Sequence, residues 1–201
     1  SSLHEKMKEI QGANERMKSI GAADAEWLRA LDVLIAGSGL AATAPLLGGL
    51  LLLGFLDTGS PLFIQERVGR GRKPFRLVKL RTMKRETASV ASHLASESAI
   101  TPLGKLLRKT KLDELPQLFN VLKGDMSMVG PRPNLFNQHE LIAERDKRGV
   151  YRVTPGITGL AQTSGIDMST PLLLAETDAQ MIRDLSWRSY LTYIVRTALG
   201  S

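Results

Sequence analysis

The feature that most constrains this chain is an apolar run from Leu31 to Leu56, in which Asp32 is the only charged residue. These 26 residues exceed the roughly 18–20 that suggest a membrane helix. Pro45 lies in the middle of the run, where it removes a backbone hydrogen bond and predicts a kink. The halves on either side are about 21 Å and about 16 Å long, so neither alone crosses a hydrocarbon core of about 30 Å. Three arrangements remain open: a kinked spanning helix, a re-entrant hairpin that enters and leaves by one face, and a buried core helix.

The same run divides the chain into three regions. Residues 1–26 form a polar, helix-favouring N-terminal segment, residues 27–56 form the membrane segment, and residues 57–201 form the remaining domain. The run is not a cleaved signal peptide, because it begins too late and no basic stretch directly precedes it. The chain begins with two serines and no methionine, which indicates a processed or engineered N-terminus.

Positive charge is concentrated directly after the apolar run. Of the net charge of +7, residues 57–111 carry +9, from thirteen Lys or Arg against four Asp or Glu, and the other regions together carry −2. We expect this region to face something anionic, namely nucleic acid, phospholipid headgroups or a phosphorylated substrate. The chain has no cysteine and three histidines, which excludes disulfides, zinc–thiolate sites and cysteine nucleophiles and disfavours a histidine metal cage.

Periodicity predicts a mainly helical α+β fold with a few short strands. Phe75–Met83 alternates as a strand, with Lys79 and Arg81 on one face. Residues 84–99 are expected to form a polar loop. Further strands are expected over 62–65 and 125–132, a loop over 153–165, and helices over 102–109, 111–122, 134–147 and 170–199. The last region places apolar and arginine-bearing stripes side by side, which is typical of interfacial amphipathic helices or of helices packed on the protein core.

Asp113 and Glu114 are the most informative candidates for chemistry. The sequence places them in the first turn of a helix, where exposed N–H groups favour negative charge. Arg108, Lys109 and Lys111 precede them, and nearby cations keep a carboxylate ionised and available as a nucleophile or a metal ligand. Acids at a helix start are also ordinary capping residues, so the pair alone leaves both interpretations open.

Arg132 is the strongest candidate for binding phosphate. It lies between Pro131 and Pro133, which fix the backbone on both sides of it. A guanidinium held so stiffly suits bidentate recognition of phosphate, although a rigid loop with a solvated arginine fits as well. Lys79 and Arg81 are either further phosphate ligands or the exposed face of their strand.

Taken together, these motifs resemble the bacterial sugar transferase family, the monotopic phosphoglycosyl transferases. The resemblance rests mainly on Lys111–Pro133, with its Asp-Glu pair and its Pro-Arg-Pro, and extends over about residues 29–199. Three other segments contribute to it: Gly59–Gly69, Leu77–Met83 and Thr154–Gln162. Asp32 and the break at Ala44-Pro45 also fall where the family has an acidic residue and a proline kink.

The resemblance implies transfer of a phosphosugar from a UDP-sugar to polyprenyl phosphate with release of UMP. It implies a ping-pong route with Asp113 as covalent nucleophile, Glu114 as Mg²⁺ ligand, and Arg132, Arg108 and Lys79 as phosphate-binding residues. It also favours the re-entrant helix, with the catalytic domain on the cytoplasmic face of the bacterial inner membrane. The partners would be a UDP-sugar, polyprenyl phosphate and membrane lipids, with no nucleic acid.

Several positions depart from the family's usual pattern. Thr154, Leu160 and Met181 stand where Arg, Trp and Tyr are common, and the segment ending at Ile166 lacks a usual arginine. The sugar is therefore left open. The length indicates a minimal form of the family or a truncated long form. Two alternatives remain: a non-enzymatic, membrane-anchored basic module that binds anionic lipid or nucleic acid, and a glycosyltransferase that releases UDP.

Overall fold

The computed structural model describes residues 3–86 and 96–200; before Glu26 it describes the side chains of Glu5, Met7 and Lys8 alone. The first helix, α1 (Leu3–Thr58), is 56 residues long, about 84 Å at 1.5 Å per residue, and runs through Pro45 without interruption. The re-entrant hairpin is therefore not confirmed, because the chain does not reverse at Pro45. A proline removes only its own bond to the preceding turn, and the bonds on either side maintain the helix. The part Glu26–Thr58 is long and apolar enough to cross a bilayer by length and composition.

One side of α1 belongs to the protein core. Ala36 is buried in a first cluster with Val121 and Tyr190, and Leu47 and Leu50 are buried in a second. Asp32 is also buried: one carboxylate oxygen accepts hydrogen bonds from the Met128 backbone at 2.9 Å and from the Tyr190 hydroxyl at 2.5 Å. The opposite side of α1 exposes large apolar side chains, those of Val33, Leu34, Leu46, Leu52, Leu53, Phe55 and Leu56. The helix therefore joins the domain along one side and leaves an apolar surface on the other.

A β-hairpin follows α1. Strand β1 (Leu62–Val68) pairs antiparallel with β2 (Pro74–Leu80), in a register that places Leu62 opposite Leu80. Both strands were expected, although β1 is longer than the sequence indicated and β2 ends before Arg81. The polar loop expected over 84–99 lies in part, at residues 87–95, outside the described residues.

Helix α2 (Pro102–Thr110) begins as predicted, with the Thr101 side chain accepting a hydrogen bond from the Gly104 N–H at 2.9 Å. The helix expected over 111–122 is divided into a 3₁₀ turn, Leu112–Glu114, and helix α3 (Gln117–Lys123). Pro116 explains this difference: it has no N–H to donate to the Leu112 carbonyl, which instead accepts from Leu115 at 3.2 Å. The acidic pair therefore lies in a 3₁₀ turn rather than in the first turn of an α-helix.

The remaining chain builds a small parallel sheet and packs helices around it. Strand β3 (Ser127–Val129) pairs with β4 (Gly156–Thr158), which lies within the region expected to be a loop. The two strands approach very closely where they end: a Cβ on Gly156 would lie 2.0 Å from the Gly130 nitrogen, so glycine is required there. Four helices belong to this region: α4 (His139–Lys147), α5 (Leu160–Thr163), α6 (Pro171–Asp184) and α7 (Trp187–Ala198). Helices α5 and α7 contact the sheet, and α6 packs against α4 and α5.

Helix α7 has two different faces. Tyr190 is fully buried in the first core cluster and Ile194 packs against it. Trp187, Leu191 and Val195, at spacings of four residues, remain exposed. One face of α7 thus completes the core and another presents apolar side chains outward, and an interfacial role for that outer face stays a prediction.

Candidate active site

A cleft of about 530 Å³ is lined by the predicted reactive residues, which come from four parts of the chain. Arg67 and Lys79 come from the hairpin, Arg108 from the end of α2, the acidic pair from the 3₁₀ turn, and Arg132 from the loop after β3. The opposite lining comes from residues 157–168 and from Thr197 on α7. Five residues singled out from sequence, Lys79, Arg108, Asp113, Glu114 and Arg132, therefore line one cavity.

Asp113 is a buried carboxyl group at the wall of this cleft, with 8% of its surface exposed. Burial, and then the negative charge of Glu114, raise its pKa to about 6, against the opposing effect of Lys79, Arg108 and Arg132. At neutral pH the carboxylate is ionised and poorly hydrated, and both properties favour its action as a nucleophile.

Glu114 is held in a different environment. Its Oε1 accepts a hydrogen bond from Nη2 of Arg132 at 2.8 Å. Burial alone would raise the pKa of Glu114, but the charge and hydrogen bond of Arg132, together with Lys79 and Lys111, hold that pKa below its ordinary value. The two adjacent carboxyl groups thus have pKa values shifted in opposite directions, as expected where two acids have different tasks.

The loop that carries Arg132 is fixed through its carbonyl groups. Prolines at 131 and 133 cannot donate backbone hydrogen bonds, but each of the four consecutive carbonyls from Pro131 to Asn134 accepts one. In chain order the donors are the Gly156 N–H at 2.9 Å, Arg145 Nη1 at 2.8 Å, Arg67 Nη1 at 3.1 Å and the Val68 N–H at 2.8 Å. The Arg132 side chain therefore extends from a backbone held by four separate contacts.

Arg145 is the least exposed of these donors and was not expected from sequence. It is 1% exposed and forms a buried ion pair with Asp178 of α6, with Nη2 2.8 Å from Oδ2. Its Nη1 also donates to Oδ1 of Asn134 at 3.0 Å. The ion pair with Asp178 and the bonds from Nη1 connect Arg145 both to α6 and to the Arg132 loop.

Arg67 and Lys79 supply buried positive charge. Gln65 Oε1 accepts from Nε of Arg67 at 3.0 Å and from its Nη2 at 2.6 Å. Burial and the neighbouring Arg132 lower the pKa of Arg67 to about 10. Burial and the charge of Arg67 lower the pKa of Lys79 to about 8. Cations crowded in this way favour an anionic ligand, because its charge relieves their mutual repulsion.

Arg81 does not line the cleft, contrary to its predicted phosphate-binding place. Its Nε donates to the Ser60 carbonyl at 3.0 Å, its backbone N–H donates to the Pro61 carbonyl at 2.8 Å, and its guanidinium lies over the Phe63 ring. Strand β2 ends at Leu80, so alternation no longer determines where residue 81 points. Arg81 instead hydrogen-bonds to the segment that connects α1 with β1.

Other lining residues were missed by sequence reasoning. Arg67 could have been found from sequence, because Gln65 and Arg67 are polar residues at alternate positions of a strand and so share one face. The structure buries both of them. Lys111 was noted only as a cation near the acidic pair. The remaining missed residues come from distant segments and have no common pattern; they are Ile157, Thr158, Gln162, Gly165, Ile166, Asp167, Met168 and Thr197.

The acidic pair offers few ligands for a metal ion. Among the residues that the structure describes, no group of three or more His, Cys, Asp or Glu gathers to hold a metal ion. Mg²⁺ is, however, commonly bound by one or two carboxylates together with substrate phosphates and water. Glu114 fits this use, because Arg132 holds one of its two oxygens and the other remains for a cation.

Comparison with known proteins gives a consistent family. A family model described as bacterial sugar transferase matches residues 24–200. The chain is 50% identical over 111 residues to the uncharacterized sugar transferase EpsL of Bacillus subtilis, covering 55% of this chain and 54% of EpsL. It is 42% identical over 143 residues to the UDP-glucose:undecaprenyl-phosphate glucose-1-phosphate transferase of Caulobacter vibrioides, covering 69% of this chain and 54% of that protein. It is 33% identical over 189 residues to exopolysaccharide production protein ExoY of Rhizobium meliloti, covering 84% and 82%. The chain thus spans little more than half the length of the first two relatives.

Proposed function

The chain belongs to the bacterial sugar transferase family, and we propose that it transfers a phosphosugar from a UDP-sugar to polyprenyl phosphate and releases UMP. The observation that carries this proposal is the placement of a buried carboxylate, Asp113, in a cleft lined by five basic side chains. The names of two relatives support the reaction class: the Caulobacter transferase above, and a putative undecaprenyl-phosphate N-acetylgalactosaminyl 1-phosphate transferase of Bacillus subtilis that is 47% identical over 108 residues.

The first step is attack of an Asp113 carboxylate oxygen on the sugar-bearing phosphorus of the donor. A new P–O bond forms to Asp113, the bond to the UMP oxygen breaks, and its electron pair leaves on UMP. The product is an acyl phosphate that carries the sugar. Arg132, Arg108 and Lys79 lie around the dyad, where they offset the charge repulsion between a carboxylate and a diphosphate.

The second step returns the enzyme to its starting state. An oxygen of polyprenyl phosphate attacks the same phosphorus, the bond to Asp113 breaks, and its electron pair returns to the carboxylate. The lipid then carries a diphosphate-linked sugar. Both half-reactions use one cleft, which accounts for a ping-pong order in which UMP leaves before the lipid is needed.

Glu114 is proposed to hold Mg²⁺ together with the donor phosphates. A bound Mg²⁺ ion would neutralise part of the diphosphate charge. Arg132 orients the Glu114 carboxylate through the 2.8 Å contact and keeps further N–H donors for phosphate.

The membrane arrangement follows from how α1 is docked. Contacts with the domain extend from Trp27 to Leu51. That length is about 36 Å, more than the roughly 30 Å of a hydrocarbon core. A spanning α1 would pull polar domain surface into the bilayer, whereas a helix that enters one leaflet keeps the domain outside it. We therefore propose a one-sided topology for the membrane-bound protein, in which α1 would have to bend at Pro45 and leave by the face it entered. The domain would then lie on the cytoplasmic face of the inner membrane, where soluble donor and lipid acceptor meet.

The non-enzymatic alternative accounts for the basic region less well. Four basic residues of that region line the cleft beside the acidic pair, namely Arg67, Lys79, Arg108 and Lys111. The negative charge of the pair makes this cleft a poor binding site for a nucleic-acid backbone. Incubation with a panel of UDP-sugars and polyprenyl phosphate tests the proposal, with UMP and UDP measured separately. UMP release is expected. UDP release would identify a glycosyltransferase, and salt-dependent DNA binding without turnover would favour the basic module.

A further inference from the structure

The lining of the cleft has two parts of different chemistry. One contains the acidic pair and all five basic side chains that reach the cleft from the described residues. The other, residues 157–168 with Thr197, contributes no Lys or Arg. Its side chains are apolar or carry hydrogen-bonding oxygens, those of Ile157, Thr158, Gln162, Ile166, Asp167 and Met168. The basic part suits the diphosphate of a donor, so the second part faces something else.

The side-chain oxygen of Gln162, Oε1, is a hydrogen-bond acceptor in this second part of the lining. The Nε2 of Gln162 donates to the Gly130 carbonyl at 3.0 Å, which fixes the orientation of the side-chain amide. Its Oε1 is buried and accepts no hydrogen bond from any residue in the described ranges. A buried acceptor without a donor is unfavourable, so a ligand group that donates a hydrogen bond would be stabilised here.

Asp167 is an oriented carboxylate on the same part of the lining. Its Oδ1 accepts from the Ser169 N–H at 2.9 Å and from the Ser169 hydroxyl. An ionised carboxylate accepts hydrogen bonds and donates none, and it repels phosphate. The moiety beside Asp167 should therefore be neutral and rich in donors.

We infer that Gln162 and Asp167 bind the sugar ring of the donor and determine which sugar is accepted. A hexose linked through C1 offers four hydroxyl donors, or three and an amide N–H in an N-acetylamino sugar, whereas uridine offers two ribose hydroxyls and one uracil N–H. Ile166 and Met168 complete the site with apolar surface that fits the C–H face of a sugar ring. This inference rests on the proposed function, because it takes the ligand to be a UDP-sugar.

The test compares binding of UDP-sugars with binding of UDP alone. The full chain with Asp113→Asn binds donor without consuming it, and affinities for UDP, UDP-glucose, UDP-galactose and their two N-acetylamino counterparts are measured by calorimetry. At least one UDP-sugar should bind more tightly than UDP. Adding Asp167→Asn, which keeps an acceptor for the Ser169 N–H, should lower the affinity for that UDP-sugar about tenfold. Gln162→Met should act similarly, and UDP affinity should stay within about twofold in both cases.

Asp184→Asn is the matched control, because Asp184 is an exposed carboxylate at the end of α6 that does not line the cleft. The Asp184→Asn variant should change neither the affinity for UDP nor the affinity for the UDP-sugar. A parallel loss of UDP affinity in the Asp167 variant would place that group beside the uridine diphosphate and overturn the inference, as would unchanged affinities throughout.

Turnover by the chain with Asp113 intact separates this inference from the proposed function. If the Asp167→Asn variant releases UMP with an unchanged preference among sugars, this inference is overturned and the proposed function is not. A chain that releases no UMP with any donor overturns the proposed function, whatever the binding data show. The expected outcome is UMP release with a relative kcat/KM for two epimeric sugars that Asp167→Asn changes about tenfold.

Discussion

Asp113→Asn is expected to stabilise the protein while it abolishes the reaction. Burial, and then the charge of Glu114, raise the pKa of Asp113 from 3.8 to about 6. At about 1.4 kcal/mol for each pKa unit, ionised Asp113 lowers the free energy of unfolding by about 3 kcal/mol. Asparagine has nearly the same shape and no charge, so the variant should recover most of that energy.

The gain should depend on pH in one direction. Between pH 3.8 and about 6 the folded protein retains a proton that the unfolded chain releases, so Asp113 reduces the stability progressively as the pH rises. Above pH 6 the full penalty of about 3 kcal/mol applies, and near pH 4 it is below about 1 kcal/mol. The variant should therefore be most stabilised at alkaline pH.

Thermal unfolding of both proteins in one detergent, with EDTA, at pH 4 and pH 8 measures this difference. For a chain of this size each kcal/mol shifts Tm by about 2–4 °C, so Asp113→Asn should raise Tm by about 6–12 °C at pH 8 and far less at pH 4. The same preparation should show no UMP release. A variant no more stable than the original protein at pH 8, or equally stabilised at both pH values, would refute the reasoning.

Glu114→Gln is the matched comparison and should have the opposite sign. Burial opposes ionisation of Glu114, but the charge of Arg132 and its hydrogen bond outweigh burial and lower the pKa. Ionised Glu114 therefore adds stability above its ordinary pKa, and this contribution is lost as the pH falls through the folded value. At pH 8 Glu114→Gln should lower Tm, whereas Asp113→Asn, at the neighbouring position, should raise it.

Four further outcomes are expected. The burst of UMP release without acceptor should decline as the pH falls below about 6, because the nucleophile becomes protonated; a burst independent of pH between 5 and 8 would contradict this. Arg145→Lys should lower kcat more than it raises KM, since it loosens the Arg132 loop; steady-state kinetics measure both constants, and circular dichroism checks that the variant is folded. Single cysteines at residues 10 and 70 should be labelled from the same side of sealed vesicles, and labelling from opposite sides would restore a spanning helix. Trp187→Glu should reduce vesicle binding measured by flotation, whereas unchanged binding would leave α7 a purely structural helix.

What sequence could predict at the site depended on how local each signal was. Asp113, Glu114 and Arg132 lie in short motifs whose chemistry is visible without a fold, and the structure brings them together. Arg81 was misplaced because alternation has no information about where a strand ends. Arg145 and Asp178 looked like ordinary charges on amphipathic helices, although they are 33 positions apart and pair in the core.

The same reasoning applies to the fold. The start of α2 at Pro102 and the end of α3 at Lys123 depend on local signals, and both lie within one residue of the predicted positions. Strand β4 was missed because its three residues are extended only by pairing with β3. The apolar run was recognised by composition alone, but composition does not reveal that Ala36 and Leu47 pack on a domain encoded later in the chain.

The geometry of the cleft fits the proposed use of one site for two phosphate substrates in turn. The acidic pair follows α2 and the Arg132 loop follows β3, so the two halves of the site are held by different elements. The ion pair between Glu114 and Arg132, at 2.8 Å, joins them directly. A guanidinium has five N–H donors, so Arg132 keeps donors for a phosphate while one of them remains on Glu114. Because four backbone contacts hold the loop, we expect the Arg132 backbone to stay in place during the proposed exchange of donor for acceptor.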